Sequence, residues 1–227
     1  MTRAEVREQL LARLAHAGVV ISPAVVEPLE NYFWLLARWN PKVNLTALPL
    51  DPPRDETFDR LFVEPVVAAD RIKPVASASS PMPIWFDLGS GGGSPAIPLK
   101  IMRPYWALTM IESKERKAAF LREAIRALRL RESEVANVRF EELGGETPLP
   151  RRAQMPTARA DLITVRAVKL DGELATAIQR LLSPTGLVAA FGSGDTSLPG
   201  FSVVDSRPLL PQSSAVLTIL SVPRGTS

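Results

Sequence analysis

The stretch Trp85–Pro95, WFDLGSGGGSP, decides the fold of this chain. An apolar run ends at Asp87, a glycine-rich turn follows at once, and residues 96–102 (AIPLKIM) have the pattern of a helix start. Glycine lets the backbone come close to a ligand because it carries no Cβ atom. A strand, a glycine-rich turn and a helix in this order are typical of an open α/β sheet that holds a nucleotide-like cofactor. The stretch therefore predicts a cofactor site at the end of a buried strand.

Strands and helices alternate along the chain after this turn. The predicted strands cover residues 84–88, 106–111, 135–140, 161–165 and 186–191, followed by a closing pair over 201–205 and 215–222. The helices between them are predicted over residues 95–102, 114–130 and 170–182. This alternation predicts an α/β fold with a mainly parallel seven-stranded sheet, helices on both faces and one antiparallel edge strand.

The residues before the turn have a different pattern, which predicts an N-terminal helical segment over residues 1–73. Its helices are expected over residues 2–18, from Ser22-Pro23 to Pro41, and over 55–72. Residues 74–83, rich in proline, serine and alanine, are predicted to be a linker to a core over 84–222. Residues 147–160 predict a loop, and residues 223–227 a frayed tail.

The composition excludes several kinds of site. The chain has 227 residues, which suits one domain with a small appendage, and it has no cysteine and a single histidine, His16. Disulfides, thiolate metal sites and cysteine nucleophiles are therefore excluded, and imidazole metal sites and Ser–His–Asp triads are disfavoured. No apolar run approaches the roughly 20 residues that span a bilayer. We expect no metal, no membrane contact and a cytoplasmic location.

The positive charge is concentrated around the glycine-rich half of the chain. The formal net charge is +3. Residues 100–139 hold ten Lys/Arg against five Asp/Glu, and residues 151–169 hold five against one, whereas residues 1–60 hold seven against eight. A basic surface near a predicted cofactor site suits a phosphate-bearing partner.

The glycine-rich turn matches the patterns of two cofactors. Residues 91–96 (GGGSPA) match the dinucleotide pattern G-x-G-x-x-G/A. Residues 89–93 (GSGGG), with Asp87 two residues earlier, match the turn that holds S-adenosylmethionine better. Pro95 removes a backbone N–H at the helix start that a pyrophosphate would use. The pattern therefore favours S-adenosylmethionine, whose amino-acid end Asp87 could organise.

Charged residues follow the next predicted strands. Glu112, after the second strand, could accept hydrogen bonds from ribose hydroxyls in either cofactor class, or it could belong only to the start of the next helix. Glu141, after the third strand, could accept from an adenine amino group, or it could be part of a surface charge cluster. Arg166, after the fourth strand, stands where ligands gather in open sheets and could hold a phosphate or a guanine edge.

Four further residues are candidates for the substrate side. Arg122 and Arg126 are predicted to share one face of the helix over 114–130 with Arg129, although a solvated basic face explains the spacing equally well. Asn44 and Thr46 follow the N-terminal helix pair.

These motifs occur together in one order along the chain. They are RWN at 38–40, NLT at 44–46, FDLGSGGGSP at 86–95, RP at 103–104, ESKxxKxxFL at 112–121, RFE at 139–141 and VRA at 165–167. Over about 180 residues the set resembles the glucose-inhibited division protein B family, the bacterial 16S ribosomal RNA guanine-7 methyltransferases. The resemblance implies a Rossmann-like class I S-adenosylmethionine methyltransferase core behind N-terminal helices.

The resemblance also implies which residues line the cofactor pocket. It gives Gly89, Ser94, Phe140, Glu141 and Arg166, and the full set that we expect to bind S-adenosylmethionine adds Asp87, Gly91, Gly93, Glu112 and Ser113. The implied partner is 16S ribosomal RNA or the small ribosomal subunit, and a monomer is expected.

The implied chemistry agrees with the composition. Guanine nitrogen 7 has a free lone pair and attacks a sulfonium methyl without first losing a proton. A chain without cysteine and with one histidine can therefore perform the reaction mainly by proximity and orientation. We name no catalytic acid or base, and Arg166 is expected to be a positioning residue.

Three departures from the family pattern occur in the sequence. Where the family tends to have Arg-His-x-x-Asp-Ser, residues 60–65 are RLFVEP, so Leu61 and Pro65 differ. Ala96 replaces a glycine after the loop proline, and Phe191 replaces a lysine after the fifth strand. These departures leave open a cofactor-binding relative with an altered or lost RNA target, and the basic surface leaves open a non-enzymatic RNA-binding module.

Overall fold

The computed structural model describes residues 1–74, 76, 82–143, 159–194, 196–211 and 213–223. Its α-helices are α1 (Arg3–His16), α2 (Pro23–Val43), α3 (Asp55–Phe58), α4 (Glu64–Arg71), α5 (Ala96–Met102), α6 (Glu115–Ala127) and α7 (Gly172–Leu181). Its strands are β1 (Ile84–Leu88), β2 (Ala107–Ile111), β3 (Ser133–Ala136), β4 (Ala160–Arg166), β5 (Leu182–Ser193), β6 (Ser202–Pro208) and β7 (Ala215–Ser221). A π-helical turn, Asp59–Val63, joins α3 to α4, and a 3-10 turn, Phe140–Glu142, follows β3.

The strands form one seven-stranded sheet in the order β3-β2-β1-β4-β5-β7-β6. β1 to β5 are parallel, and β7 is antiparallel to both of its neighbours. The expected fold class, with its mainly parallel seven-stranded sheet, is confirmed. The position of the antiparallel strand needs one correction, because β7 lies one strand in from the edge and the β6–β7 hairpin leaves β6 outermost.

The register places the carboxyl ends of the central strands side by side. Leu88, the last residue of β1, is opposite Ile111 of β2 and Val165 of β4. Every residue of β1 and β2 is buried, as expected for parallel strands that are covered on both faces. The residues that follow these strands therefore meet at one edge of the sheet.

Some predicted boundaries were wrong. β3 begins at Ser133 rather than at residue 135 and ends at Ala136, because its pairing partner β2 ends at Ile111. Val138 and Phe140, which suggested a longer strand, pack against a hydrophobic cluster instead. Arg129 lies beyond the end of α6, with a positive φ of 53°, so it does not share the helix face of the other arginines.

The N-terminal helices share a hydrophobic core with the sheet. Val6 of α1 and Phe33 of α2 belong to the same buried cluster as Trp85 of β1 and Leu108 of β2. Most of the predicted linker and loop, residues 75, 77–81 and 144–158, and tail residues 224–227 lie outside the described residues. Among the helices in the described ranges, none is both long and apolar enough to span a bilayer.

A pair of charged side chains fixes the π-helical turn to the first helix. Arg13 of α1 donates from Nε to Asp59 Oδ1 at 2.9 Å and from Nη2 to Asp59 Oδ2 at 2.6 Å. Two parallel hydrogen bonds between a guanidinium and a carboxylate are geometrically specific. The contact matters for the site because the turn over residues 59–63 forms part of its wall.

Candidate functional site

The glycine-rich turn is tied to the end of β2. The N–H groups of Gly89 and Ser90 donate to Ile111 O at 2.9 and 3.1 Å. At Gly93, with a φ of +90°, a Cβ atom would lie 2.4 Å from Ile97 Cδ1, so a larger residue does not fit. At Gly91, with a φ of +54°, the nearest atom to such a Cβ is Gly89 O at 3.7 Å. The side of the Gly91 backbone on which a Cβ atom would stand is therefore open, with few protein atoms near it.

Asp87 lies under this turn, at 1% exposure. Its Oδ1 accepts a hydrogen bond from the hydroxyl of Thr164, which in turn accepts from Trp85 Nε1 at 2.9 Å. Burial raises the pKa of Asp87 to about 6, while hydrogen bonds from the Ser90 and Thr164 hydroxyls act in the opposite direction. The network fixes the orientation of this carboxylate, which is mostly ionised at neutral pH.

Glu112 connects the turn to the following helix. Its Oε2 accepts from Gly91 N at 2.9 Å, and its Oε1 accepts from Lys114 N at 2.8 Å, at the N-cap of α6. The interpretation of Glu112 as part of the helix start is therefore confirmed, while its contact with a ribose stays a prediction. Glu112 is a neighbour of the glycine turn and also part of the helix start.

Arg166 joins the turn to the N-terminal helices. Its Nη1 donates to Arg60 O at 2.5 Å and to Ser94 Oγ at 3.1 Å, and its Nη2 forms an ion pair with Glu64. Its guanidinium lies 5.2 Å from the centroid of the Phe191 ring. These contacts use both terminal nitrogens within the protein, so Arg166 holds three segments together at the end of β4.

Glu64 is a site residue that sequence reasoning missed. Its side chain is 1% exposed, and burial raises its pKa while the charges of Arg166 and Arg60 oppose that shift. Within the described residues, its Oε1 has no hydrogen-bond partner. A signal was present, because Glu64 stands at the aspartate position of the family pattern Arg-His-x-x-Asp-Ser.

The turn opens into a cleft of about 440 Å³, called here the turn cleft. Its lining combines the glycine turn, Glu112 and Arg166 with N-terminal residues, among them Tyr32, Leu45, Thr46, Leu48 and Leu61. The hydroxyl of Tyr32 donates to Gly92 O at 2.6 Å, and burial raises the pKa of that phenol. The N-terminal helices therefore complete the cleft, and Tyr32 is a second residue that the sequence did not single out.

A second cavity of about 570 Å³, called here the adjoining cavity, lies beside the turn cleft. Both are lined by Arg60, Arg166 and Ala167. The adjoining cavity also has Glu64, the last three residues of β5 and the residues at the start of β7 in its wall. The two cavities thus share one wall at the end of β4.

The other predicted cofactor residues lie around this edge. Ser94 is held by Arg166 and by Leu61 O, to which its hydroxyl donates at 3.0 Å. Ser113 is exposed beside Glu112. Phe140 is partly buried against a hydrophobic cluster, and the side chain of Glu141 lies outside the described residues. Contact of these residues with a cofactor stays a prediction.

The substrate-side candidates fall into two groups. Thr46 lines the turn cleft, and its N–H donates to Asn40 Oδ1 at 2.9 Å, whereas Asn44 is an exposed helix C-cap. Arg122 is exposed on α6, and Arg126 pairs with Glu123 at 2.7 Å. The positions of Arg122 and Arg126 agree with a solvated basic face on α6.

Leu61 and Phe191, two of the residues that depart from the family pattern, line the two cavities. Leu61 is in the π-helical turn and lines the turn cleft, and Pro65 is buried in the first turn of α4. Phe191 supports the guanidinium of Arg166. In the part of the chain that the structure describes, no group of three or more His, Cys, Asp or Glu residues is placed to hold a metal ion.

The sheet order, the turn after β1 and the acid after β2 define a Rossmann-like class I methyltransferase fold. A solved structure of an MtNAS mutant in complex with S-adenosylmethionine shares this fold. Its TM-score is 0.53 at 13% identity, covering 86% of this chain and 75% of that one. The structure of MtNAS in complex with MTA and tNA gives a TM-score of 0.52 at 13% identity. The match covers 87% of this chain and 73% of that one.

The family model described as GidB, rRNA small subunit methyltransferase G, matches residues 25–197. The ribosomal RNA small subunit methyltransferase G of Paracoccus denitrificans is 37% identical over 160 residues, 70% of this chain and 72% of the relative. The protein of the same name from Bacillus pumilus is 30% identical over 183 residues, which cover 81% of this chain and 70% of the relative. The chain belongs to the GidB family, and the resemblance seen in its motifs is confirmed.

Proposed function

We propose that this chain transfers a methyl group from S-adenosylmethionine to nitrogen 7 of a guanine in 16S ribosomal RNA. The observation that carries the proposal is the turn cleft, in which a bare glycine backbone and Glu112 meet at the carboxyl end of β1 and β2, with Asp87 buried beneath the turn. The membership of the chain in the GidB family supports the same reaction.

The residues of the turn cleft suit S-adenosylmethionine by their chemistry. A Cβ at Gly91 would have no neighbour closer than 3.7 Å, which leaves room for a ligand against the backbone. Glu112 has an acceptor oxygen at the turn for ribose hydroxyls, and Asp87 supplies negative charge for the ammonium of the amino-acid end. Metal is not needed for any of these contacts.

This reaction requires little proton transfer by the protein. When bound, the cofactor supplies an electrophilic methyl group on a sulfonium. The purine nitrogen that attacks it carries a lone pair and no proton, so the protein needs no general base. His16 is exposed on α1, away from the turn cleft. Arg166, Ser94 and the glycine turn instead fix the positions of the cleft walls, so catalysis rests on orientation.

The expected substrate is the RNA of the small ribosomal subunit, free or assembled. The excess of basic residues over 100–139 supports contact with phosphates. A cytoplasmic location follows from this substrate. A monomeric state and independence from metal are predictions of the sequence.

Transfer of labelled methyl groups tests the proposal. Small-subunit RNA and intact subunits from a strain that lacks the modification are incubated with the protein and labelled S-adenosylmethionine, and we expect label at the N7 position of a single guanine. Asp87→Ala should abolish transfer, while Glu123→Ala, which removes a carboxylate that pairs with Arg38 and Arg126 outside the turn cleft, should not. Cofactor binding without transfer would instead support a relative with a lost or altered target, and RNA binding without cofactor binding a non-enzymatic module.

A further inference from the structure

Glu64 carries a buried oxygen without a partner, which is costly in a folded protein. A buried acceptor that makes no hydrogen bond loses its hydration without compensation. Oε2 of Glu64 is paired with Arg166, but Oε1 has no partner among the described residues. The ion pair with Arg166 therefore satisfies Oε2 and leaves Oε1 available to a hydrogen-bond donor.

Glu64 is one of the residues that line the adjoining cavity. Two other carboxylates line that cavity, but Asp59 has both oxygens bound to Arg13. Glu56 is 62% exposed at the rim, where solvent competes for its hydrogen bonds. Glu64 is thus the buried carboxylate that is placed to receive a donor from a ligand in this cavity.

The two cavities share lining residues, which suits a base that extends from one to the other. The cofactor side is the turn cleft, and the adjoining cavity shares Arg60, Arg166 and Ala167 with it. Nitrogen 7 is on the five-membered ring of guanine, whereas the N1–H and N2 amino donors are on the opposite side of the purine. A guanine that presents nitrogen 7 to the turn cleft would direct these donors away from it, towards the side on which the adjoining cavity shares its wall.

We propose that Glu64 determines the specificity for guanine, with Oε1 accepting hydrogen bonds from N1–H and the N2 amino group of the target base. The proposal rests on the methyl-transfer function given above. Adenine presents a lone pair at nitrogen 1 and has no 2-amino group, so it would face the carboxylate with an acceptor. Arg166 fixes the carboxylate through Oε2 and leaves Oε1 for the base.

Inosine, which is guanosine without the N2 amino group, tests the proposal directly. After the methylated guanine has been mapped, RNA carrying a single inosine at that position is assembled, and kcat/KM is compared for the two RNAs. We expect the wild-type protein to prefer guanine by at least about tenfold, because a buried acceptor loses one of its two donors. Glu64→Gln should lose this preference, since its carbonyl oxygen stays with Arg166 and its amide N–H groups then face the donors of guanine.

Glu30→Gln is the matched control. Glu30 is also a buried carboxylate, 3% exposed and paired with Arg3 and Arg7, but it lies on α2 outside both cavities. This variant should keep the wild-type preference for guanine. Circular dichroism and calorimetry with S-adenosylhomocysteine establish that both variants fold and bind the cofactor product.

The outcomes separate the role of Glu64 from the function itself. A variant Glu64→Gln that is slow with both RNAs but keeps the guanine preference would show a purely structural role and overturn the inference. Equal use of guanine and inosine by the wild-type protein would overturn it even if the variant did not fold. No methyl transfer to any guanine would overturn the proposed function and the inference with it.

Discussion

Glu112 connects the glycine turn to the start of α6. Its carboxylate accepts from Gly91 N and from Lys114 N, so it fixes both the turn and the start of α6. We expect Glu112→Ala to weaken cofactor binding by about 1–3 kcal/mol, because these hydrogen bonds and any bond to the ribose are lost. Calorimetric titration with S-adenosylmethionine measures the change. Glu123→Ala should bind like wild type, and equal affinity of the Glu112 variant would place the cofactor elsewhere.

Asp87 should make cofactor binding depend on pH. Its pKa is raised from 3.8 to about 6, so the carboxylate becomes neutral as the pH falls through about 6. Only the ionised form attracts the ammonium of the cofactor, and therefore affinity should decrease towards low pH. One pH unit below this pKa, about a tenth of the Asp87 carboxylate is ionised, whereas most of it is ionised one unit above. We therefore expect roughly tenfold weaker binding of the cofactor at pH 5 than at pH 7.

Two variants decide whether Asp87 is the source of that pH dependence. Titrations between pH 5 and 7.5 should show weak and nearly pH-independent binding for Asp87→Asn. His16→Gln should keep the wild-type profile, because His16 is an exposed residue of α1. A decrease in affinity that persists in the Asp87 variant would assign the titration to another group.

Residues near the turn could be predicted from the sequence, whereas residues from distant segments could not. Asp87 and Glu112 follow from their positions at strand ends, because parallel strands bring these positions together. Tyr32 and Glu64 lie 60 and 102 residues away from their partners Gly92 and Arg166. Periodicity describes each helix alone and does not tell which side chain of one helix meets a turn so far along the chain.

The ion pair between Glu64 and Arg166 joins two elements, α4 and β4, and its removal from one side should be strongly destabilising. Arg166→Leu leaves a carboxylate of 1% exposure without its cation, so we expect a loss of about 3–5 kcal/mol. The double variant Glu64→Leu/Arg166→Leu should recover most of this loss, because two apolar side chains replace two buried charges. Urea denaturation measures the free energy of unfolding of both variants, and a double variant as unstable as the single one would refute this account.

Element types were easier to predict than element ends. Each strand and helix of the core is present near its predicted position because its apolar pattern is strong. The end of β3 was misplaced because Val138 and Phe140 look like strand residues, although they pack on a hydrophobic cluster after pairing with β2 has ended. The helix expected over 55–72 contains the π-helical turn Asp59–Val63, which apolar spacing does not reveal.

At the scale of the whole molecule, the shared core predicts that the N-terminal helices and the sheet unfold together. Val6 and Phe33 belong to the same buried cluster as Trp85 and Leu108, and Trp39 of α2 packs 5.8 Å from the Phe120 ring of α6. Composition alone instead suggests a separate segment over residues 1–73. A cluster that crosses the boundary makes independent unfolding costly, because either part would expose apolar surface that the other covers.

Tryptophan positions allow this cooperativity to be measured without removing a core residue. Trp34 and Trp39 report on the N-terminal helices, and Trp85 and Trp106 on the sheet. With fluorinated tryptophan, the four fluorine resonances can be followed separately in urea, and we expect one common midpoint. Arg13→Ala, which releases α1 from the π-helical turn, should lower all four midpoints together. Earlier loss of the two N-terminal signals would instead show that residues 1–73 form a separate cooperative unit, and that the turn cleft opens before the sheet unfolds.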